Sequence, residues 1–352
     1  MKISFVTSTL TSGGSERVMS LLANRFVADG YEVEIINLNQ HIVFYSIDNR
    51  ITLRFVEDEV GASVFKKLKW LRQYIKQSNP DIVIPFMEAV YCFTILALIG
   101  IKIPVLSSER IDPRKSPFIR NILRRIFLPL TDWLVVQTQD IKSFYPKFIQ
   151  KKTSVIYNPV SDKVFQLPQQ IKEDIVISVG KLDEQKNHAL LIQAFSKIVG
   201  QCPTWKLVIY GEGPLRNELQ LIIDNLQLTD RVFLPGRCTH IIEKMNKAKI
   251  FAFSSNYEGM SNALLEAVCV GLPIVTTNVS GAREIVQDGG FIVPVHDEKR
   301  FAAALEMLMR DEHKREEMGN NNTSRTHLYE IEKIYNKWKK IVFDLVSKEA
   351  LK

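Results

Sequence analysis

A chain of 352 residues exceeds what one hydrophobic core usually serves, so two domains of about 100 to 200 residues each are expected and a single small module is excluded. With 46% hydrophobic and 24% charged residues, 16 Gly and 14 Pro, the composition also excludes disordered, collagenous and low-complexity classes. The net charge of +7 lies wholly in the first half: Met1 to Phe165 holds 22 Lys and Arg against 15 Asp and Glu, and the remainder holds 24 of each. Within Val60 to Arg125, 12 basic residues face 4 acidic ones, Asp81, Glu88, Glu109 and Asp112. Such a stretch suits nucleic acid or an acidic lipid surface, against the plainer reading of a solvated basic face.

The start, MKISFVTSTL, has an apolar run too short for a secretory leader and reads as a buried first strand. A glycine pair, Gly13 and Gly14, follows it, with a helix opening near Ser15. The strands predicted next are VEIINL, ITLRFV, DIVIPF, IPVLSS, WLVVQT and TSVIYN, alternating with helical patterns in the manner of βα units around a parallel sheet. The longest apolar stretch, AVYCFTILALIGI, falls well short of the roughly 20 residues of a spanning helix, so membrane contact would be peripheral. Residues 161–172 lack periodicity and read as a linker. A second set then begins: DIVISVG, KLVIYG, RVFLPG, KIFAFSS, LPIVTT and FIVPV. Two successive sheets of the nucleotide-binding kind imply a cleft, with ligands beyond the carboxyl ends of the strands. From Leu328 to Val346, helical spacing predicts a terminal helix packing Trp338 and Phe343 against a domain. Cys92, Cys202, Cys238 and Cys269 lie far apart and read as buried thiols in a reducing compartment.

Two loops of the second half carry the chemistry. In FAFSSNYEGMSNALLEA, a strand ends at Ser255 and a helix opens near Ser261. Ser261 or Asn262 would cap that helix, leaving free N–H groups and the dipole as an anion site. Gly259 allows close backbone approach. Glu266 follows about 6 Å further along the axis, where a carboxylate can accept from ribose hydroxyls; Glu258 precedes the helix and faces the other end of a diphosphate ligand. In SVGKLDEQKNH, Lys181 and Lys186 follow the strand ending at Gly180. Cleaving a sugar–diphosphate bond builds negative charge that such lysines can neutralise. No Asp-x-Asp is present and the six histidines fall in no ligand spacing, so no metal site and no other cofactor are expected.

Glu258 to Glu266, with Leu264-Leu265-Glu266-Ala267 and Gly271-Leu272-Pro273-Ile274-Val275, resembles the E-x7-E signature of family 4 retaining glycosyltransferases. The glycine loop at Gly13 and Gly14, VIYNPV, the lysine loop, GARE at Gly281 to Glu284 and Gly289-Gly290-Phe291 fall in that family's order, so the resemblance spans most of the chain. It implies the GT-B fold: α/β, two facing Rossmann-like doubly wound domains with an interdomain cleft. The acceptor-side domain would be residues 1–160, the linker 161–172, the donor domain 173–327, and a helix over 328–352 could cross back to the first domain. Lys181, Lys186, Glu258 and Glu266 would then be catalytic, with Gly13, Gly14, Gly180, Gly259, Met260, Ser261 and Asn262 holding the donor, a UDP-sugar by preference. Glu258 would hold sugar hydroxyls or orient the lysine clamp.

The chain departs from the family with Lys at 181 where Arg is usual and Asn at 187 where Gly is common. It also lacks the histidine that many relatives carry after the strand matching IPVLSS. Glu109 and Arg110 are the candidates for that region's contacts to donor sugar or acceptor phosphate. The resemblance implies front-side attack, the leaving phosphate accepting the acceptor's proton, so a protein base is dispensable. A lipid-linked or oligosaccharide acceptor is expected, in polysaccharide, O-antigen or glycoconjugate biosynthesis, with the protein cytoplasmic and peripheral on the inner face of the membrane. Arg120, Arg124 and Arg125, among apolar residues in RKSPFIRNILRRIFLPL, are the candidates for contact with anionic lipid. Nucleic acid is not expected, because the aromatics form no stacking platform. An epimerase or soluble-acceptor transferase on the same fold, or a catalytically silent nucleotide-sugar-binding subunit, stays open.

Overall fold

The computed structural model describes residues 1–350 apart from Ser12, Gln40, His41 and Gln169; the last two residues of the expected terminal helix, Leu351 and Lys352, lie outside the described residues. The chain forms two compact units, one of residues 1–159 with the stretch from Ile331 onward, the other Val160–Glu330.

The first unit contains β1 (Lys2–Thr7), β2 (Glu32–Asn37), β3 (Thr52–Phe55), β4 (Ile82–Pro85), β5 (Leu106–Ser108), β6 (Trp133–Val136) and β7 (Thr153–Val155). Every pairing among them is parallel, in the orders β3-β2-β1-β4 and β5-β6-β7. Single parallel bridges, Val83 to Val105 and Phe86 to Ser108, join β4 to β5. The winding reverses between β1 and β4, so their carboxyl-end loops flank a topological switch point. β-branched and aromatic residues form these strands because both sheet faces are covered: Ile3, Phe5, Ile35, Val83 and Ile84 are buried.

The terminal helix, Ile331–Ala350, belongs to this unit. Its Trp338 is fully buried and stacks on Phe86 with centroids 5.8 Å apart. Tyr335 and Lys339 both donate to Asp29 Oδ2, at 2.8 and 2.7 Å. Phe343, expected on the packing face, remains 41% exposed and touches only the margin, edge-on to Tyr31. The helical period puts it five residues past Trp338, a rotation of about 140° away from the buried stripe.

The second unit is one parallel sheet of β8 (Glu173–Val179), β9 (Lys206–Tyr210), β10 (Val232–Gly236), β11 (Ala248–Phe253), β12 (Ile274–Thr277) and β13 (Gly290–Val293), ordered β10-β9-β8-β11-β12-β13. Its switch point lies between β8 and β11. Leu191, Phe195, Leu207, Ile209, Phe301 and Leu305 are among its buried core. The residues read as a linker carry a short 3-10 helix, Asp162–Gln166. Val160 forms a parallel bridge to Glu330, its N–H donating to the Tyr329 carbonyl at 2.9 Å. No helix among the described residues is long and apolar enough to cross a membrane. Cys92, Cys202 and Cys269 are buried, but Cys238, also expected inside, is partly exposed on the loop following β10.

Candidate active site

The loop after β8 and the loop after β11 are fastened to each other. The Asn256 N–H donates to the Gln185 carbonyl at 2.8 Å, and Asn256 Nδ2 donates to the Glu184 carbonyl at 2.8 Å. Gln185 Nε2 donates to the Tyr257 carbonyl at 3.0 Å, and Asn187 Nδ2 to Asn256 Oδ1 at 3.0 Å. Asn187 itself is left-handed (φ 46°) and caps the next helix, His188–Ser196. That explains why Asn serves where Gly is common, since both tolerate positive φ and Asn adds a cap.

This fastening brings Lys186 and Glu258 together. Lys186 Nζ donates to Glu258 Oε1 at 2.5 Å, with the lysine side chain 18% and the glutamate 8% exposed. The ammonium also lies 5.0 Å from the Phe253 ring centroid. Gly180 leaves room for this arrangement: a Cβ there would stand 3.1 Å from Cγ and Cδ of Lys186, whose stem crosses the glycine and would have to shift by a few tenths of an ångström. Glu258 is thus paired with Lys186 in the structure, and both roles expected of it, holding sugar hydroxyls or orienting the lysine, stay open. Lys181 is not drawn in; it is 66% exposed, with Asp183 at 3.7 Å.

Ser261 is the cap of the helix Asn262–Cys269, its side chain accepting from the Leu264 N–H at 3.4 Å. Gly259 and Met260 lie buried in the turn before it, and Asn262 is its half-buried first residue. Glu266 is 5% exposed on this helix; burial, and after it the Glu266 charge, pushes the Cys269 thiol up to about 12. Burial first, then the Lys186 charge, pull the His188 imidazole down to about 4, so it is neutral. Sequence reasoning passed over two supports of this site. One is His188; the other is Gly211 (φ 156°) after β9, where a Cβ would stand 1.8 Å from the Gly180 carbonyl oxygen. The paired glycines of Tyr210-Gly211-Glu212-Gly213 at a strand end were the available signal.

In the first unit, Gly13 precedes the helix Gly14–Ala28. A Cβ at Gly13 would stand 2.2 Å from a carboxylate oxygen of Glu16, which accepts from the Thr9 and Ser15 hydroxyls at 2.7 and 2.6 Å. The positive end of that helix is therefore already faced by the chain's own carboxylate.

Two expectations are corrected here. Glu109 is wholly buried, and its carboxylate accepts from Arg124 Nε at 2.8 Å, Tyr91 Oη at 3.0 Å and Tyr145 Oη at 3.0 Å. With its oxygens committed to protein donors, it is a structural group rather than a substrate contact. Arg124 is correspondingly only 2% exposed, so it leaves the lipid-contact set. Arg120 and Arg125 stay exposed on the helix Phe118–Phe127. Arg110, also buried, donates Nη1 to Asn158 Oδ1 at 2.9 Å.

The family model described as "Glycosyltransferase Family 4" matches residues 12–164, and that described as "Glycosyl transferases group 1" matches residues 161–325. A Campylobacter jejuni protein, GalNAc-alpha-(1->4)-GalNAc-alpha-(1->3)-diNAcBac-PP-undecaprenol alpha-1,4-N-acetyl-D-galactosaminyltransferase, is 31% identical over 98% of this chain and 99% of its own length. The structure of sucrose-phosphate synthase from Thermosynechococcus elongatus matches with a TM-score of 0.83 at 17% identity, covering 99% of both chains. That of Anabaena HepE in complex with UDP matches with a TM-score of 0.79 at 18% identity, over 98% of this chain and 100% of the other. Two domain models in tandem, a relative aligned end to end and the shared GT-B fold identify this chain as a member of the family 4, group 1 glycosyltransferases.

Proposed function

We propose that this glycosyltransferase moves a sugar from a UDP-linked donor to a glycan carried on a lipid diphosphate, with retention at the anomeric carbon and with no metal ion or other cofactor. The observation that carries the reading is the Lys186–Glu258 pair beside the Ser261-capped helix start at the β8/β11 switch point. A leaving diphosphate there meets one ammonium group and the positive end of the helix Asn262–Cys269. The bond from the anomeric carbon to the leaving phosphate oxygen breaks while the acceptor hydroxyl oxygen bonds to the same face. The hydroxyl proton passes to the departing phosphate, and Lys186 with the helix terminus offsets the charge that remains. Glu266, one turn into the helix, accepts from ribose hydroxyls.

Support for the donor comes from the UDP bound in HepE, and for the acceptor from the undecaprenyl diphosphate in the Campylobacter relative's name. The metal-free reading is supported by the Lys186 ammonium and the Ser261-capped helix start, which offer positive charge at the diphosphate without a metal ion. Peripheral attachment to the cytoplasmic face is supported by the helix Phe118–Phe127 and the turn after it. Phe118, Ile119, Ile126 and Leu130 are 79%, 61%, 55% and 56% exposed beside exposed Arg120 and Arg125, a surface suited to anionic lipid.

The test is a panel of UDP-sugars with undecaprenyl-diphosphate-linked oligosaccharides, following UDP release and the anomeric configuration of the product by NMR, with and without EDTA. An α-linked product from an α-linked donor, unaffected by EDTA, is expected. An inverted product, or activity lost to EDTA and restored by Mg²⁺, refutes the mechanism; no transfer with any pair refutes the reaction.

A further inference from the structure

Arg110 is held in a way its own unit does not explain. It is 8% exposed, and only one of its guanidinium nitrogens is matched: Nη1 donates to Asn158 Oδ1 at 2.9 Å, an oxygen that also accepts from Gln137 Nε2 at 3.0 Å. Nε and Nη2 find no hydrogen-bond partner among the described residues. These two nitrogens form one edge of the guanidinium plane, the side-on fork that fits two oxygens of a single phosphoryl group.

Its carboxylate neighbour, Glu109, is already spent on Arg124, Tyr91 and Tyr145. The guanidinium instead lies over two aromatic faces, 4.6 Å from the Phe86 centroid and 5.5 Å from that of Trp338. Those rings fix its plane, and Trp338 comes from the terminal helix, so that helix helps to build the site. Burial without a bonded counter-ion pulls the group down to about 9. Around it are further buried polar atoms without partners: Ser108 Oγ, Gln137 Oε1 and Trp338 Nε1. Phe86, Ser108, Arg110, Gln137 and Asn158 stand at the carboxyl ends of β4, β5, β6 and β7, the end at which doubly wound sheets take ligands. A buried cation with an unpaired fork costs stability unless an anion completes it.

We infer that Arg110, set on the Phe86–Trp338 stack, binds a phosphoryl group of a substrate through Nε and Nη2. The inference rests on the transferase reading only for the source of that group: the donor's diphosphate or the acceptor's.

The experiment uses the full chain and Arg110→Gln and Arg110→Lys variants. Calorimetry measures UDP binding, then inorganic pyrophosphate binding with UDP saturating, and steady-state transfer gives kcat and KM for each substrate. Loss of a charge-assisted fork should weaken the relevant anion by about tenfold to a hundredfold in Arg110→Gln, with a smaller loss in Arg110→Lys, which keeps the charge without the fork. A fall in UDP affinity assigns the donor's diphosphate. A fall in pyrophosphate affinity alone, with a raised acceptor KM, assigns the acceptor's. Both affinities and both KM values within threefold of the parent overturn the inference. So does loss of folding in both variants, because an arginine needed for folding is not one left unsatisfied. If the parent chain binds these anions through Arg110 but transfers no sugar, the proposed reaction fails and this site stands.

Discussion

Lys186 is the residue on which the proposed chemistry depends most, and its pairing with Glu258 makes a sharp test possible. At an effective dielectric of about 20, unit charges a few ångström apart interact by about 4 kcal/mol. Both side chains are mostly buried, at 18% and 8% exposure, so solvent screens little of this. Lys186→Ala removes the cation that offsets charge on the leaving phosphate and leaves the Glu258 carboxylate unpaired beside the incoming diphosphate. Turnover should fall at least about a hundredfold, equivalent to about 2.7 kcal/mol, with a raised KM for the nucleotide sugar. Glu258→Gln keeps an acceptor for Lys186 but loses the charge that aims it, and a loss of about tenfold is expected.

The double variant separates the two roles open to Glu258. If Glu258 acts through Lys186, then Lys186→Ala/Glu258→Gln is no worse than Lys186→Ala alone, and relief of the unpaired carboxylate should restore part of the donor KM. If Glu258 instead grips sugar hydroxyls directly, the two losses multiply. Steady-state UDP release at varied donor concentration reads all four proteins. Lys186→Ala within threefold of the parent refutes the clamp, and a multiplicative double variant refutes the positioning role.

Glu266→Gln should raise the KM for the nucleotide sugar at least about tenfold and weaken UDP without changing pyrophosphate binding, measured by calorimetry; equal weakening of both would deny it the ribose. His188 is neutral in the folded state near pH 4 to 6.5, whereas the unfolded chain protonates it at about 6.5. Stability is therefore full above that pH and declines as pH falls toward about 4, by about 2 kcal/mol between pH 7 and 5; urea unfolding of the parent should show this share and His188→Gln should lack it. Charge reversal at Arg125 should reduce sedimentation with anionic vesicles while leaving the melting temperature unchanged; Arg120, whose Nε lies 3.6 Å from the buried Glu88 carboxylate, is kept in that variant. Arg124→Met, by contrast, should destabilise the first unit by about 3 kcal/mol or more, since it strands the buried Glu109 carboxylate; a melting curve like the parent's would count against that.

Most of the fold was legible because parallel strands covered on both faces announce themselves. Runs such as DIVISVG and KIFAFSS are nearly continuous in β-branched and aromatic residues, and they became β8 and β11 within a residue or two. The helix start at Ser261 was equally readable, since a short hydroxyl before an apolar run has few other uses. The RRIF segment misled for a different reason. Periodicity tells which residues share a face, not what opposes it, and the partner of Arg124 is a carboxylate fifteen residues earlier. Glu109 in turn is held in its buried place by Arg124 together with the hydroxyls of Tyr91, in the helix Glu88–Leu98, and Tyr145, just after the helix Gln139–Phe144. A basic residue inside an apolar stripe reads the same whether it meets lipid or a buried acid.

The same distinction bears on the departure at position 181. A guanidinium earns its place in a clamp by bidentate geometry, and Lys181 offers only a charge on an exposed stem. Lys186 needs no such geometry of its own, because the protein supplies it. Its stem lies across a glycine that cannot carry a side chain without pushing on it, its ammonium is paired with Glu258, and its loop is fastened to the β11 loop through Gln185, Asn187 and Asn256. Precision has thus moved from the side chain into the loop that presents it. On the proposed reading a Lys at 181 is tolerable for that reason: the field at a bound diphosphate would be set by one immobilised ammonium and a helix terminus, and the second lysine would add charge without being asked for direction.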